Sequence, residues 1–213
     1  MNQYARTAQY NHFEIFQISP PFSFFDFIDS RFPGSDPLRR ILSQARLHNA
    51  KTLVLEKIEK ADDLEEENRD IKNRYPAFNN STSFRISFFK KAFSTKRGLT
   101  TTPNSDFIGY AIVKIDEIPS QGRLIRVYES VFHTSRHPNN CIRGAQRWNC
   151  QVIGHQFDVD GYLYAQQNDT TNVCAHVALR TAAARYHKNG DMSYHEMNEL
   201  IGIDHVNKSH NTI

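Results

Sequence analysis

Leu38, Ile41, Leu42 and Ala45 recur three and four residues apart, the spacing that gathers apolar side chains on one face of a helix. Asp36 offers a cap and Pro37 fits the first helical position, where a missing N–H costs nothing; the helix is expected to end near His48-Asn49. Thr52-Leu53-Val54-Leu55 follows as an apolar run of strand length. The acidic stretch Asp62 to Arg74 reads as a mostly exposed helix, stopped at Tyr75-Pro76 because a residue before proline is pushed out of the helical region. Ser83 to Phe89, Phe107 to Ile115 and Leu124 to Val131 are rich in β-branched and aromatic residues and flanked by turn formers, a pattern that predicts an antiparallel sheet. Arg147 to Phe157 is a fourth strand candidate, with Gly161 as the turn out of it. Phe13 to Phe32 mixes aromatics with Pro20-Pro21 and is expected to pack as an irregular arm.

Beyond Gly161 the period changes from two to about 3.6. Asn172 or Thr171 can cap a helix carrying Cys174, Val177, Ala178, Thr181, Ala182 and Arg185, ending around His187 to Gly190. Ser193-Tyr194-His195-Glu196 has the form of a capping box and starts a second helix, with Gly202 as its left-handed end. The expected fold class is α+β. A helix and antiparallel-sheet module of unassigned role is expected over 1–157, followed over 158–213 by two helices.

Composition narrows the function classes. A formal charge of +3 gives no concentrated basic stripe, which argues against nucleic acid. The one basic cluster, Lys90, Lys91, Lys96 and Arg97, reads as a solvated edge that discourages sheet-to-sheet pairing. No basic-then-apolar leader opens the chain and no apolar run is long enough to cross a bilayer, so a cytoplasmic protein away from membranes is expected. Cys141, Cys150 and Cys174 are too few for a disulfide framework and lack metal-site spacing, so at least one free thiol is expected and no cofactor or metal is implied. Asp158 and Asp160 supply too few oxygens for a calcium loop and read as a turn.

Candidate chemistry concentrates at Cys174. A cysteine in the first turn of a helix meets unpaired N–H groups and the positive end of the dipole, which stabilise a thiolate. Gln166 and Gln167 stand a short loop upstream, where an amide N–H and the Cys174 backbone N–H can both point at a developing oxyanion. A lone cysteine on an apolar helix is more often a small core residue; the helix start and the paired glutamines favour the nucleophile.

The run Ala165-Gln166-Gln167-Asn168-Asp169-Thr170-Thr171-Asn172-Val173-Cys174-Ala175 resembles the nucleophile segment of the papain-like cysteine peptidases, closest to the bacterial double-glycine leader peptidases. The resemblance covers about the last quarter of the chain and identifies 158–213 with the opening helices of such a domain. It implies Cys174 as nucleophile, Gln167 or Gln166 as oxyanion donor, and a peptide or protein substrate cleaved at a peptide or isopeptide bond. It also implies a general-base histidine on a later β-rich half. Helix geometry removes two candidates: His176 points away from Cys174, and His187 lies thirteen residues on, roughly 20 Å away. His195 follows in the second helix, and His133, His137 and His155 precede the nucleophile. His205 and His155 are the base candidates carried forward. The alternative is that the base comes from a further C-terminal region or a partner chain, or that the chain is a non-catalytic interaction or sensing module on a papain-like scaffold.

Overall fold

Seven strands form one antiparallel sheet in the order β1-β2-β3-β4-β5-β7-β6. They are β1 (Gln9–Gln17), β2 (Thr52–Lys60), β3 (Asn80–Phe89), β4 (Phe107–Ile118), β5 (Gly122–His133), β6 (Gln146–Val152) and β7 (His155–Tyr164). Among the described residues six α-helices accompany them: α1 (Phe24–Arg31), α2 (Asp36–Leu47), α3 (Asp62–Arg74), α4 (Lys96–Thr100), α5 (His176–Tyr186) and α6 (Tyr194–Leu200). The computed structural model describes residues 4–18, 24–119, 121–134, 146–166, 176–186 and 191–202. The fold class is α+β, as the alternation of periods implies.

The central strands are buried on both sides, which is why β4 reads as a nearly unbroken apolar run. One face, with Leu53, Leu55, Ile86, Phe88, Ala111 and Val113, is covered by α1 and α2 through Ile28, Phe32, Leu38, Ile41, Leu42 and Ala45. The four apolar positions that define α2 in the sequence are its buried residues, and Ser35 rather than Asp36 is its N-cap. The other face carries Val54, Phe89, Tyr110, Ile112 and Tyr128 beneath Leu64 of α3 and Tyr194 of α6.

Three expectations need correction. The Phe13 to Phe32 arm is regular on both sides of the two prolines, forming β1 and then α1. Arg147 to Phe157 is not one strand but a hairpin, turning at Ile153 and Gly154, both with positive φ. Gly161 sits inside β7, so the sheet runs on to Tyr164 and the boundary expected after residue 157 falls within a strand.

That glycine has a packing reason. A Cβ at Gly161 would lie 2.1 Å from the Phe132 carbonyl oxygen, and one at Gly109 would lie 2.2 Å from the Val131 oxygen. Only bare backbone permits so close an approach, and the sheet curls there. The β6–β7 hairpin consequently swings over the open face: Gln151 N–H donates to the Arg6 carbonyl at 2.9 Å, and Ile153 N–H donates to Glu56 Oε1 at 2.8 Å. A bulge adds a second adjustment. Ile112 pairs with Glu129 and Val113 with Val127, leaving Tyr128 without a partner position. The alternation therefore shifts by one, and Tyr128 and Glu129 both project beneath the hairpin.

Candidate functional site

The covered face of the curled sheet holds a layer of buried ions. On α3, Asp63, Glu67 and Asp70 recur at helical spacing and are buried together with Leu64 and Ile71. The helix expected to be mostly exposed instead turns an acidic stripe onto the sheet. Lys114 Nζ donates to Glu67 Oε2 at 2.9 Å, and the Arg126 guanidinium reaches the same oxygen at 2.5 Å. Asp116 closes the square, 3.1 Å from Lys114 and 3.2 Å from Arg126. Burial opposes the charge on Glu67, but Arg126 and Lys114 outweigh it and hold the carboxyl at about 2.

A second group ties the chain's ends to the sheet. Glu129 accepts from Arg6 at 3.3 Å and from the Tyr110 hydroxyl at 2.6 Å, and forms an ion pair with Arg180 of α5 at 2.8 Å. Asp191, just before α6, pairs with Arg180 at 2.9 Å and also with Arg6. Deeper still, Arg85 makes two 2.9 Å bonds to Glu56 and donates to the carbonyls of Ala5, Arg6 and Ala8. Buried charges persist only when paired and hydrogen-bonded in this way.

The site residues expected from the sequence are distributed unevenly around this layer. Cys174, Gln167 and His205 lie outside the described residues, as does the Asn172 or Thr171 cap. Gln166 continues β7 alongside β5: its N–H donates to the Val127 carbonyl at 2.8 Å, and its Oε1 accepts from Val127 N–H at 3.1 Å. Fixing the carboxamide oxygen on the strand turns the Nε2 hydrogens away from it. His155 opens β7 opposite Val152. It stands about 30 Å along the strand from Tyr164, so His155 and Gln166 cannot act on one carbonyl. His176 begins α5 and is buried, and neither ring nitrogen finds a hydrogen-bond partner among the described residues.

Among the described residues His195 is paired with a buried carboxylate. Its Nδ1 lies 3.2 and 3.3 Å from the two oxygens of Asp70, which is buried on α3. Its Nε2 lies 3.5 Å from Glu199 Oε1, one turn further along the exposed side of α6. The capping box expected at Ser193 is formed, with Glu196 N–H on the Ser193 hydroxyl and Ser193 N–H on the Glu196 carboxylate. That box fixes the turn carrying His195. Neighbouring contacts bring this turn and Gln166 to one level of the sheet: Gln166 holds Val127, and the next residue, Tyr128, meets Tyr194 edge to face at 5.6 Å. The sequence places His195 at a helix start but gives no sign of Asp70, 125 residues earlier. The usable signal is the helical spacing of Asp63, Glu67 and Asp70, which matches a buried stripe better than a solvated face.

Cys150 is buried on β6, and burial pushes its thiol up to about 12, so it is inert as a nucleophile near neutrality. Asp158 and Asp160 lie in β7 rather than in a turn, and Asp160 meets Arg147 across the hairpin. Among the described residues no cluster of His, Cys, Asp and Glu is arranged to hold a metal ion, and no helix is long and apolar enough to cross a membrane. No protein-family model, curated protein or solved structure matches this chain.

Proposed function

We propose that the chain performs thiol-dependent acyl transfer, with Cys174 as nucleophile and a peptide or isopeptide bond as its substrate. The observation that carries this reading is the pairing of Asp70 on α3 with His195 on α6, the helix that packs beside α5, whose first residue follows Cys174 by two positions. A carboxylate on Nδ1 fixes the imidazole and leaves Nε2 as the nitrogen that takes a proton, the geometry a general base requires. Glu199 touches that nitrogen only at long range from an exposed side chain, a weak hold that substrate can displace. Gln166, with its oxygen tied to β5, presents N–H groups of the kind that stabilise an oxyanion. In the reaction the Cys174 sulfur attacks the carbonyl carbon, His195 accepts the thiol proton and returns it to the leaving amine, and water releases the acyl group. His195 replaces His155 as base on this reading.

One observation favours a non-catalytic interaction module instead. The His195 Nδ1 contact to Asp70 joins α6 to α3 while Nε2 faces Glu199 of its own helix, an arrangement equally suited to a structural cross-link.

Alkylation by iodoacetamide across pH 5–10, in a Cys141→Ser background with Cys150 silent, separates the two. A Cys174 inflection well below the free-thiol value of about 8.5, shifted upward in both His195→Gln and Asp70→Asn, supports acyl transfer. An ordinary inflection unaffected by His195→Gln rejects it.

A further inference from the structure

Away from the ionic layer, α2 and the adjoining ends of β5 and β7 enclose a cleft of about 450 Å³. Arg40 and Gln44, one helical turn apart on α2, form one wall, and His133 and Thr134 at the end of β5 form another. Tyr162 and Tyr164, alternate residues of β7 and so on the same face of the strand, complete it. The buried side chains of Ile41 and Phe132 make an apolar floor.

Charge on the lining of this cleft is one-sided. No described acidic residue lines it, and Arg40 makes no ion pair among the described residues. The His133 ring lies 6.4 Å from His48, one turn beyond Gln44. Burial first, then the neighbouring His133 and Lys90, hold the His48 imidazole below its usual value. The buried cations Arg6, Arg85, Lys114, Arg126 and Arg180 are all paired to carboxylates, whereas the exposed Arg40 keeps its guanidinium for the cleft. A cleft of small-molecule size that combines a guanidinium without a carboxylate partner, an imidazole and two tyrosine rings suits a ligand that brings negative charge.

We propose that this cleft binds a small ligand consisting of an oxyanion, carboxylate or phosphate, on an aromatic or apolar body. Arg40 and His133 take the oxyanion, and Tyr162, Tyr164 and Phe132 take the body. Neither the cleft nor its ligand involves Cys174, so the site stands whether or not the thiol is catalytic.

The test uses three probes: N-acetylphenylalanine, its uncharged carboxamide, and phenyl phosphate. Binding is followed by calorimetry and by the imidazole resonances of His133 and His48 in the full chain. Saturable binding of at least one acid probe that shifts the His133 resonance is expected, with the carboxamide at least tenfold weaker. The tighter of the two acid arms tells carboxylate from phosphate. Arg40→Met, an exposed substitution checked for native folding by circular dichroism, is expected to weaken acid binding at least tenfold. The proposal is overturned if neither acid binds, if the carboxamide binds as well as the acids, or if Arg40→Met leaves affinity unchanged.

Discussion

At the residue scale, two carboxylates on α3 respond to the same burial in opposite ways. Asp63 accepts from Ala5 N–H and Leu64 N–H at 3.0 Å through one oxygen, while the other lacks a hydrogen-bond partner among the described residues. Burial, reinforced by Glu129, pushes it up to about 7, against the pull of Arg180 and Arg6. A folded value above the unfolded 3.8 means that the native state holds the proton more tightly, so stability falls as pH rises through that window. Asp63→Asn keeps the accepting oxygen and removes the buried charge. Its expected effect is a gain of about 2–4 kcal/mol at pH 8 and nearly none at pH 4, read from urea unfolding at the two pH values. Glu67 runs the other way: its folded value of about 2 lies below 4.5, so its contribution is complete above pH 4.5 and is lost as pH falls towards 2. Glu67→Gln is expected to cost about 3 kcal/mol at pH 7, leaving Lys114 and Arg126 to share Asp116, and much less at pH 2.

At the element scale, the curl of the sheet rests on close backbone approach rather than on turn conformation. Gly154 lies in a left-handed turn with φ of 79° and open space around its missing Cβ, whereas Gly161 has no such φ but sits against the Phe132 carbonyl. Gly154→Ala therefore carries only backbone strain, about 1 kcal/mol. Gly161→Ala forces β7 away from β5 and is expected to cost several times that, with amides of Gly161–Tyr164 losing protection from hydrogen exchange first. Equal effects of the two substitutions would show that the approach of β7 to β5 is not what the glycine serves.

At the scale of the whole molecule, the ion layer fastens segments that the sheet ladder does not reach. Arg6 comes from the chain's beginning, Arg180 from α5 and Asp191 from the stretch before α6, and all meet near Glu129 on β5. Removing the central carboxylate leaves two buried guanidinium groups to share the partly exposed Asp191. Glu129→Leu is expected to destabilise by about 3–5 kcal/mol and to release α5 and α6 together, visible as simultaneous loss of exchange protection in both helices. Arg147→Ala, which breaks an exposed pair with Asp160, serves as control and should change unfolding free energy little.

Local pattern was sufficient for the elements whose partners are near in sequence. Leu38, Ile41, Leu42 and Ala45 specify α2 because one apolar stripe dictates both the helix and its buried face. Tyr75-Pro76 ends α3, and Ser193 with Glu196 starts α6, because proline sterics and capping are satisfied within a few residues. The antiparallel strands were legible from their residue types, yet the hairpin at Ile153 was hidden, since a buried residue in a left-handed turn carries no composition signal. What tertiary structure alone decided was every charge that works in pairs. Glu67 and Asp70 meet Lys114, Arg126 and His195 only in the folded chain, and a buried charge is stable only through partners whose sequence distance is unconstrained. The same reason separates Gln166, readable beside Cys174, from the His195–Asp70 pair, which exists only once α3 and α6 are packed together.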